Sequence, residues 1–287
     1  MYCQDCFKGT IHDGTPRGKQ EVVHGIPTYV ASPEGNPVPS AVIIFISDIF
    51  GTKLINNKLL ADKYATDTGC LVFVPDIIPG GGASLALIDA MDIMNTSVLW
   101  YDIPGQIRRV LAGLQAVSIM GPMLVRTRNA VPQLLEYSRA AKSALPEGGR
   151  LGVAGFCWGG YQSIKLSQEP MTPGSKTPLV DAHFVAHPSG ANVPNDLITS
   201  VKALAVPTSL AIGDRDLMLP VKSIAPLEEA MAEAFGGNKD LYQVAVYEGC
   251  THGFAVRADP KQAIEDKGAI AAAEQAKRWF RKHLGVD

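Results

Sequence analysis

Hydrophobic residues along the chain form short, nearly unbroken runs that are separated by longer stretches of mixed polarity. The runs rich in Val and Ile predict six strands: Ala41–Ser47, Cys70–Asp76, Arg150–Phe156, Val180–Pro188, Pro207–Asp214 and Tyr242–Gly249. Strands with one solvated face alternate between apolar and polar residues, whereas parallel strands covered on both faces are apolar throughout. The pattern therefore predicts a buried, mostly parallel sheet.

The stretches between these runs have the character of helices. They predict helices over Lys53–Asp67, Val131–Leu145, Tyr161–Ser167, Ser223–Phe235 and about Ile264–His283. A hairpin with a Gly turn is predicted before the first buried strand, over Gln20–Pro33. Strand alternating with helix indicates an α/β fold, a doubly wound sheet flanked by helices in one domain of residues 1–287, with residues 1–18 as an N-terminal extension. Ligands of such sheets bind beyond the carboxyl ends of the strands.

One segment, residues 83–124, is longer than a simple crossover connection. It contains Met91, Met94, Trp100, Tyr101, Met120 and Met123. We interpret it as a helical cap over the site, to whose substrate pocket Trp100 would contribute. Ordinary core helices, or the surface of a homodimer, are the alternatives, because Met commonly fills irregular gaps in cores.

Composition excludes several classes of function. The net charge of −2 among 287 residues leaves no basic surplus for nucleic acid or an anionic membrane. No apolar run is long enough to span a bilayer, and the N-terminus lacks the apolar core of a signal peptide, so we expect a cytoplasmic protein. Five cysteines do not indicate a disulfide framework, and the Cys3–Cys6 pair lacks a second pair at zinc-site spacing. We therefore expect neither a metal nor another cofactor.

The segment VAGFCWGG, residues 153–160, matches the pattern of a nucleophile elbow, G-x-nucleophile-x-G between a strand and a helix. Gly155 and Gly159 fit because such a tight turn admits only small neighbours. Cys157 would face the positive end of the following helix, which favours the thiolate. The alternative is an inert buried cysteine, but it leaves the glycine pattern unexplained.

A thiolate nucleophile requires a base and an acid, which in this fold follow the nucleophile in the order acid, histidine. His252 comes directly after the last strand, where a loop can return its imidazole to the elbow; an exposed loop histidine is the alternative. Asp214 and Asp216 both follow the preceding strand, and spacing does not choose between them. The oxyanion hole would use the backbone N–H of Trp158 and one from the loop SDIFG after the first buried strand.

Three further residues are candidates at the strand ends. Asp48 could hold or accept the thiol proton of Cys157, or else cap the next helix as a solvated turn residue. His187 could hydrogen-bond a substrate, or be an ordinary turn histidine. Tyr161, like Trp158, could line the pocket or belong to the core.

In their order along the chain, the motifs SDIFG, Pro75–Asp76, GFCWGG, GDRD before LP, and THGF resemble the dienelactone hydrolase family, cysteine-dependent members of the α/β-hydrolase fold. The N-terminal CFKGTIHDGTPRGK is similar to fungal members. The resemblance implies Cys157 as nucleophile, Asp216 rather than Asp214 as acid, and His252 as base. It also implies oxyanion donors at Ile49 and Trp158.

The chain departs from the family pattern in two places. Lactone-cleaving members have a glutamate before IFG that controls the thiol's protonation, whereas this chain has the shorter Asp48. Those members also bind a substrate carboxylate with arginines, but PDIIPGGGAS contains none and Arg257 is only an approximate match. These departures argue against an anionic dienelactone as substrate.

The sequence thus predicts a hydrolase that cleaves a small ester or lactone through an acyl-thioester on Cys157. Cyclisation or rearrangement of a secondary metabolite is an alternative, because the fold does not fix the acyl acceptor. A binding protein that retains the fold without turnover is a second alternative. A thiol redox protein is a third, with Cys250 as the resolving cysteine.

Overall fold

The computed structural model describes residues 9–35, 40–78, 80–96, 98–127, 130–190 and 192–286. These residues contain one eight-stranded sheet with the strand order β1-β2-β4-β3-β5-β6-β7-β8. The strands are β1 (Lys19–Val23), β2 (Ile26–Ala31), β3 (Ala41–Ile46), β4 (Leu71–Pro75), β5 (Arg150–Phe156), β6 (Ala182–Ala186), β7 (Thr208–Gly213) and β8 (Tyr242–Tyr247). The predicted α/β-hydrolase fold is confirmed.

Strands β3 to β8 are all parallel to one another, as the unbroken apolar runs predict. Every residue of β3 is buried. Phe45 and Ile43 pack into the core on one face of the sheet, while Val42, Ile44 and Ile46 pack into the core on the other. The period of two along a strand therefore places apolar side chains on both faces.

The predicted hairpin forms the antiparallel edge of the sheet, because β1 pairs with β2 and β2 pairs with β4. Its turn consists of His24 and Gly25, which both have positive φ, at 47° and 79°. Two such residues make the tight turn that matches the twist of the adjoining strands.

Helices cover both faces of the sheet. They are α1 (Ile55–Thr68), α2 (Ala86–Asn95), α3 (Ile103–Arg126), α4 (Ala130–Ser143), α5 (Trp158–Leu166), α6 (Val193–Leu204), α7 (Ile224–Ala234), α8 (Phe254–Arg257) and α9 (Ala263–Leu284). Tyr64 of α1 and Phe280 of α9 join the core that contains Phe45. Leu134 of α4 joins the opposite core, and α5 packs beside α4 and α6.

The segment 83–124 forms α2 and most of α3, which pack against each other. Helix α3 buries Ala112, Ala116, Met120 and Met123 in the core, so its methionines fill the core as the alternative interpretation stated. Its other side leaves a row of apolar residues more than half exposed: Ile103, Ile107, Val110, Leu111, Leu114 and Val117.

Part of the sequence prediction concerns residues that the structure does not describe. Cys3 and Cys6 lie outside the described residues. Within them, no helix combines the length and the apolar character that a bilayer-spanning helix requires. Helix α6 was not predicted, although Asn192 before Val193 and Pro194 is a typical start of a helix.

Candidate functional site

Cys157 occupies a sharp turn between β5 and α5. Its backbone has φ 53° and ψ −118°, a conformation that non-glycine residues rarely adopt and that costs about 1–3 kcal/mol. A Cβ on Gly159 would lie 2.2 Å from the carbonyl oxygen of Ile46, and one on Gly155 would lie 2.2 Å from Oγ of Ser163. Both glycines are therefore required by close packing at the elbow.

The segment after β6 holds the elbow from the neighbouring strand. The backbone N–H of Cys157 donates to Ala186 (3.3 Å), and the N–H of Ser189 donates to the carbonyl of Cys157 (3.0 Å). Sγ of Cys157 lies 3.6 Å from Oγ of Ser189, and only 1% of Cys157 is exposed. Ser189 was not predicted, although it follows His187 by two residues in the strand-end motif HPSG.

His252 and Asp216 are joined by hydrogen bonds. Nδ1 of His252 lies 3.1 and 3.0 Å from the two carboxylate oxygens of Asp216, and both side chains are fully buried. The N–H of Met218 donates to Asp216 at 2.8 Å and fixes the carboxylate. Asp214 instead accepts from the N–H of Gly249 at 2.7 Å. The geometry therefore pairs His252 with Asp216.

The surroundings of His252 raise its pKa from the usual value. Burial is the largest single effect and lowers the pKa, but the negative charge of Cys157, hydrogen bonds to Asp216 and Cys157, and the charge of Asp216 together outweigh it. A negative charge on Cys157 and a positive charge on His252 would therefore stabilise each other. The structure brings Cys157, His252 and Asp216 together.

Asp48 and Arg257 form a buried ion pair beside Cys157. Asp48 is fully buried and Arg257 is 1% exposed. The same carboxylate accepts from the N–H of Phe50 and from the amide of Asn57, both at 3.1 Å. Burial raises the pKa of Asp48, Arg257 opposes that shift, and the negative charge of Cys157 adds to it. The alternative of a solvated turn residue is wrong for Asp48.

Ile49 and Trp158 follow two neighbouring parallel strands. Ile46 of β3 and Gly155 of β5 are register partners, and each candidate donor lies three residues further on. Trp158 is the first residue of α5, where backbone N–H groups have no partner within the helix. Both residues thus lie at the end of the sheet where Cys157 is, as an oxyanion hole requires.

His187 lies beside His252, with 5.1 Å between the ring centroids and an interplanar angle of 67°. It is fully buried, and neither ring nitrogen has a hydrogen-bond partner among the described residues. Burial, followed by the nearby charge of His252, keeps its pKa well below the usual value. The ring is therefore neutral.

A cavity of about 430 Å³ borders this cluster. It is lined by Gly9, Thr10, Asp92, Thr251, His252, Gly253, Phe254, Arg257, Asp259, Gln262 and Glu265. Asp92 belongs to α2, so the 83–124 segment forms part of the wall. Of the predicted pocket residues, Arg257 lines this cavity, whereas His187, Tyr161 and Trp100 are not among its lining residues. Tyr161 packs beneath Nζ of Lys165, and Trp100 is 86% exposed.

One wall of the cavity is an extended segment near the start of the chain that crosses α8. The N–H of Thr10 donates to the carbonyl of Arg257 (3.0 Å). Asn56 of α1 donates to the carbonyls of Thr10 (2.8 Å) and Val256 (2.9 Å) and is 1% exposed. Gly9 of this segment lies against Arg257, because a Cβ added at Gly9 would meet the side chain of Arg257.

The same geometry bears on two other chemistries, metal binding and thiol redox chemistry. Across the described ranges, no cluster of three or more His, Cys, Asp or Glu side chains is arranged to hold a metal ion. The Cys250 thiol lies against Gly268 of α9, and burial raises its pKa to about 11. Both features disfavour Cys250 as a redox partner.

Comparison with known proteins identifies relatives of the chain. It is 28% identical over 282 residues to the hydrolase pyvD of Aspergillus violaceofuscus, covering 98% of this chain and 96% of that one. It is 25% identical over 278 residues to the human carboxymethylenebutenolidase homolog, covering 93% and 91% of the two chains.

Solved structures share the fold at lower identity. A putative dienelactone hydrolase from Klebsiella pneumoniae has a TM-score of 0.58 at 18% identity, with 92% of this chain and 96% of that one covered. Esterase Est2 of Thermogutta terrifontis, with propionate bound, has a TM-score of 0.54 at 15% identity, covering 92% and 94%. A model of the dienelactone hydrolase family matches residues 26–284. The chain therefore belongs to the dienelactone hydrolase family and is a hydrolase of carboxylic ester or lactone bonds.

Proposed function

We propose that this chain is a cysteine-dependent hydrolase of a small ester or lactone, with Cys157, His252 and Asp216 as its catalytic residues. The main support is a buried arrangement of these side chains. In it, Nδ1 of His252 is hydrogen-bonded to Asp216, and the ring interacts with the thiolate of Cys157. A base oriented by a carboxylate and placed at a nucleophile is the general requirement of acyl transfer.

In this mechanism Sγ of Cys157 attacks the carbonyl carbon, and the N–H groups of Ile49 and Trp158 stabilise the oxyanion. The imidazolium of His252 gives its proton to the leaving alcohol oxygen as the C–O bond breaks. Water then attacks the thioester and loses a proton to His252. The C–S bond breaks, which releases the carboxylic acid and restores the thiolate.

The substrate we propose is uncharged near its carbonyl group. Among the described residues that line the cavity beside His252, the carboxylates of Asp92, Asp259 and Glu265 outnumber the one arginine. That arginine, Arg257, is paired with Asp48. A carboxylate on the substrate would meet repulsion without a dedicated cation. Initial rates on a neutral ester and on the same ester bearing a carboxylate test this; faster turnover of the anionic compound contradicts it.

The decisive experiment is intact-mass spectrometry after mixing with an activated ester, with release of the alcohol followed in parallel. The wild-type protein should gain one acyl group on Cys157 and lose it again. Cys157→Ala should gain none, and His252→Ala should release alcohol slowly. A folded wild-type protein without an adduct, or a fully active Cys157→Ala variant, contradicts the thiol mechanism.

Cyclisation or transfer is a second candidate, favoured by the burial of the site. Cys157 and His252 are each 1% exposed, so a substrate hydroxyl held in the cavity could reach the thioester before bulk water. Turnover in ¹⁸O-labelled water distinguishes the two, since only hydrolysis incorporates label into the released acid. A purely binding role is disfavoured because it does not require the strained backbone of Cys157.

A further inference from the structure

His187 is unlike an ordinary buried histidine. Its side chain is fully buried and both ring nitrogens lack a partner among the described residues. Its backbone is also in the left-handed region, with φ 38°. Buried polar atoms without partners and strained backbones are both costly, and strain of this kind concentrates at functional sites.

His183 provides the contrast, because it lies on the same strand and is equally buried. Its Nε2 lies 2.9 Å from Oγ of Ser163, so the core of the protein satisfies this histidine in part. Among the described residues, no corresponding group contacts the ring nitrogens of His187. A ligand that enters the elbow region could satisfy it.

The position of His187 indicates that this ligand would be a molecule bound at the reaction centre. Its N–H donates to Ala211 at 2.9 Å, which fixes the residue at the end of β6. Its neighbours Ala186 and Ser189 bond the backbone of Cys157 on either side. The rings of His187 and His252 are in edge-to-face contact, with 5.1 Å between their centroids. A small molecule near Nε2 of His252 would therefore lie close to His187.

We propose that His187 is a catalytic residue of the second half-reaction, in which it holds the water that hydrolyses the thioester on Cys157. This inference rests on the proposed function. The acceptor nitrogen of the neutral ring binds one water hydrogen, and His252 takes the other as a proton. The water oxygen bonds to the carbonyl carbon, the C–S bond breaks, and the sulfur leaves as the thiolate paired with the His252 imidazolium. The neutral form is required, since a protonated ring has no acceptor.

The test separates acylation from deacylation by stopped-flow and intact-mass measurements on an activated ester. His187→Phe keeps a ring of similar shape without nitrogen, and His187→Asn keeps a short polar group. The Phe variant should acylate Cys157 at nearly the wild-type rate but hydrolyse the thioester about 10²-fold more slowly, so that the acyl-enzyme accumulates. Hydroxylamine, a stronger nucleophile than water, should release the trapped acyl group. Asn should give an intermediate deacylation rate.

His183→Gln is the matched control, because it alters a buried histidine of the same strand away from the reaction centre. It should leave the ratio of the two rates unchanged. If His187→Phe does not fold, as circular dichroism would show, His187→Asn carries the test. Equal slowing of both steps, or unchanged deacylation in the folded variants, overturns the role of His187 alone. A wild-type protein without an adduct on Cys157 overturns the proposed function and this inference with it.

Discussion

Asp48 and Arg257 form an ion pair that joins the loop after β3 to helix α8, with both side chains removed from water. The guanidinium also lies over the ring of Phe50, 5.5 Å from its centroid. Opposite charges at such a site stabilise each other, but removing one leaves the other buried without compensation. The pair adjoins Cys157, whose negative charge raises the pKa of Asp48.

Asp48→Asn should lower the free energy of unfolding by about 3–5 kcal/mol, because it leaves the charge of Arg257 uncompensated. The double variant Asp48→Asn/Arg257→Met should recover much of that loss. Urea denaturation of the single and double variants measures both. Glu233→Gln, which breaks an exposed pair with Lys202, is the control and should change stability by less than about 1 kcal/mol. A double variant less stable than Asp48→Asn would contradict the charge argument.

Asp216→Asn should reduce kcat by about 10³–10⁴-fold, because an amide no longer fixes the tautomer of His252 or stabilises its imidazolium. The measurement is steady-state turnover of an activated ester. Asp214→Asn is the matched control two residues away. It weakens the bond from the N–H of Gly249, so it should lower Tm and leave kcat within a few-fold. Reversed effects of the two variants would assign the acid to Asp214.

Cys157→Ala should lower the pKa of His252. Burial lowers this pKa, and the charge of Cys157 is the largest of the causes that raise it. The protonated ring stabilises the folded state. This contribution to the free energy of unfolding is complete below the unfolded-state pKa of 6.5, and it is lost as the pH rises through the raised folded-state pKa. NMR titration of the ring in both proteins measures the shift. Identical titration curves would show that no thiolate acts on His252.

Gly159→Ala should destabilise the protein by several kcal/mol, because its Cβ would lie 2.2 Å from the carbonyl of Ile46, whose strand cannot move aside. Gly113→Ala on helix α3 is the matched control. There the nearest atoms to a Cβ lie at 3.9 Å, so the helix should gain up to about 1 kcal/mol. Thermal denaturation compares the two. Similar Tm values for both variants would mean that the elbow tolerates a side chain.

The sequence predicts the sheet well because strands buried on both faces leave an unambiguous apolar pattern. The six predicted parallel strands form, with boundaries shifted by a few residues. Helix α6 is absent from the sequence prediction, although Pro194 marks its first turn. The exposed apolar row of α3 could not be predicted, since burial depends on which neighbours cover a helix.

The sequence predicts those site residues whose role is visible in their immediate sequence neighbours. Cys157 stands out by its glycine neighbours, and His252 by its place after the last strand. The choice between Asp214 and Asp216 depends on how one loop turns, which the spacing does not contain. The pairing of Asp48 with Arg257 spans 209 positions of the chain and leaves no local signal. Trp100 is predicted at the pocket as part of the cap of residues 83–124, but its side chain is exposed to solvent.

The crossing of α8 by the segment at Thr10 has a consequence for protein synthesis. The packing of this segment on α8 joins residues as far apart as His12 and Ala258, whose hydrogen bond spans 246 positions. A nascent chain stopped just before β8 contains Cys157, Asp48 and Asp216 but has neither His252 nor Arg257. The thiol therefore gains its base, and the carboxylate of Asp48 its counter-charge, only after the segment that follows β8 has been synthesised. Until then, the ribosome holds a chain whose nucleophile is not yet activated.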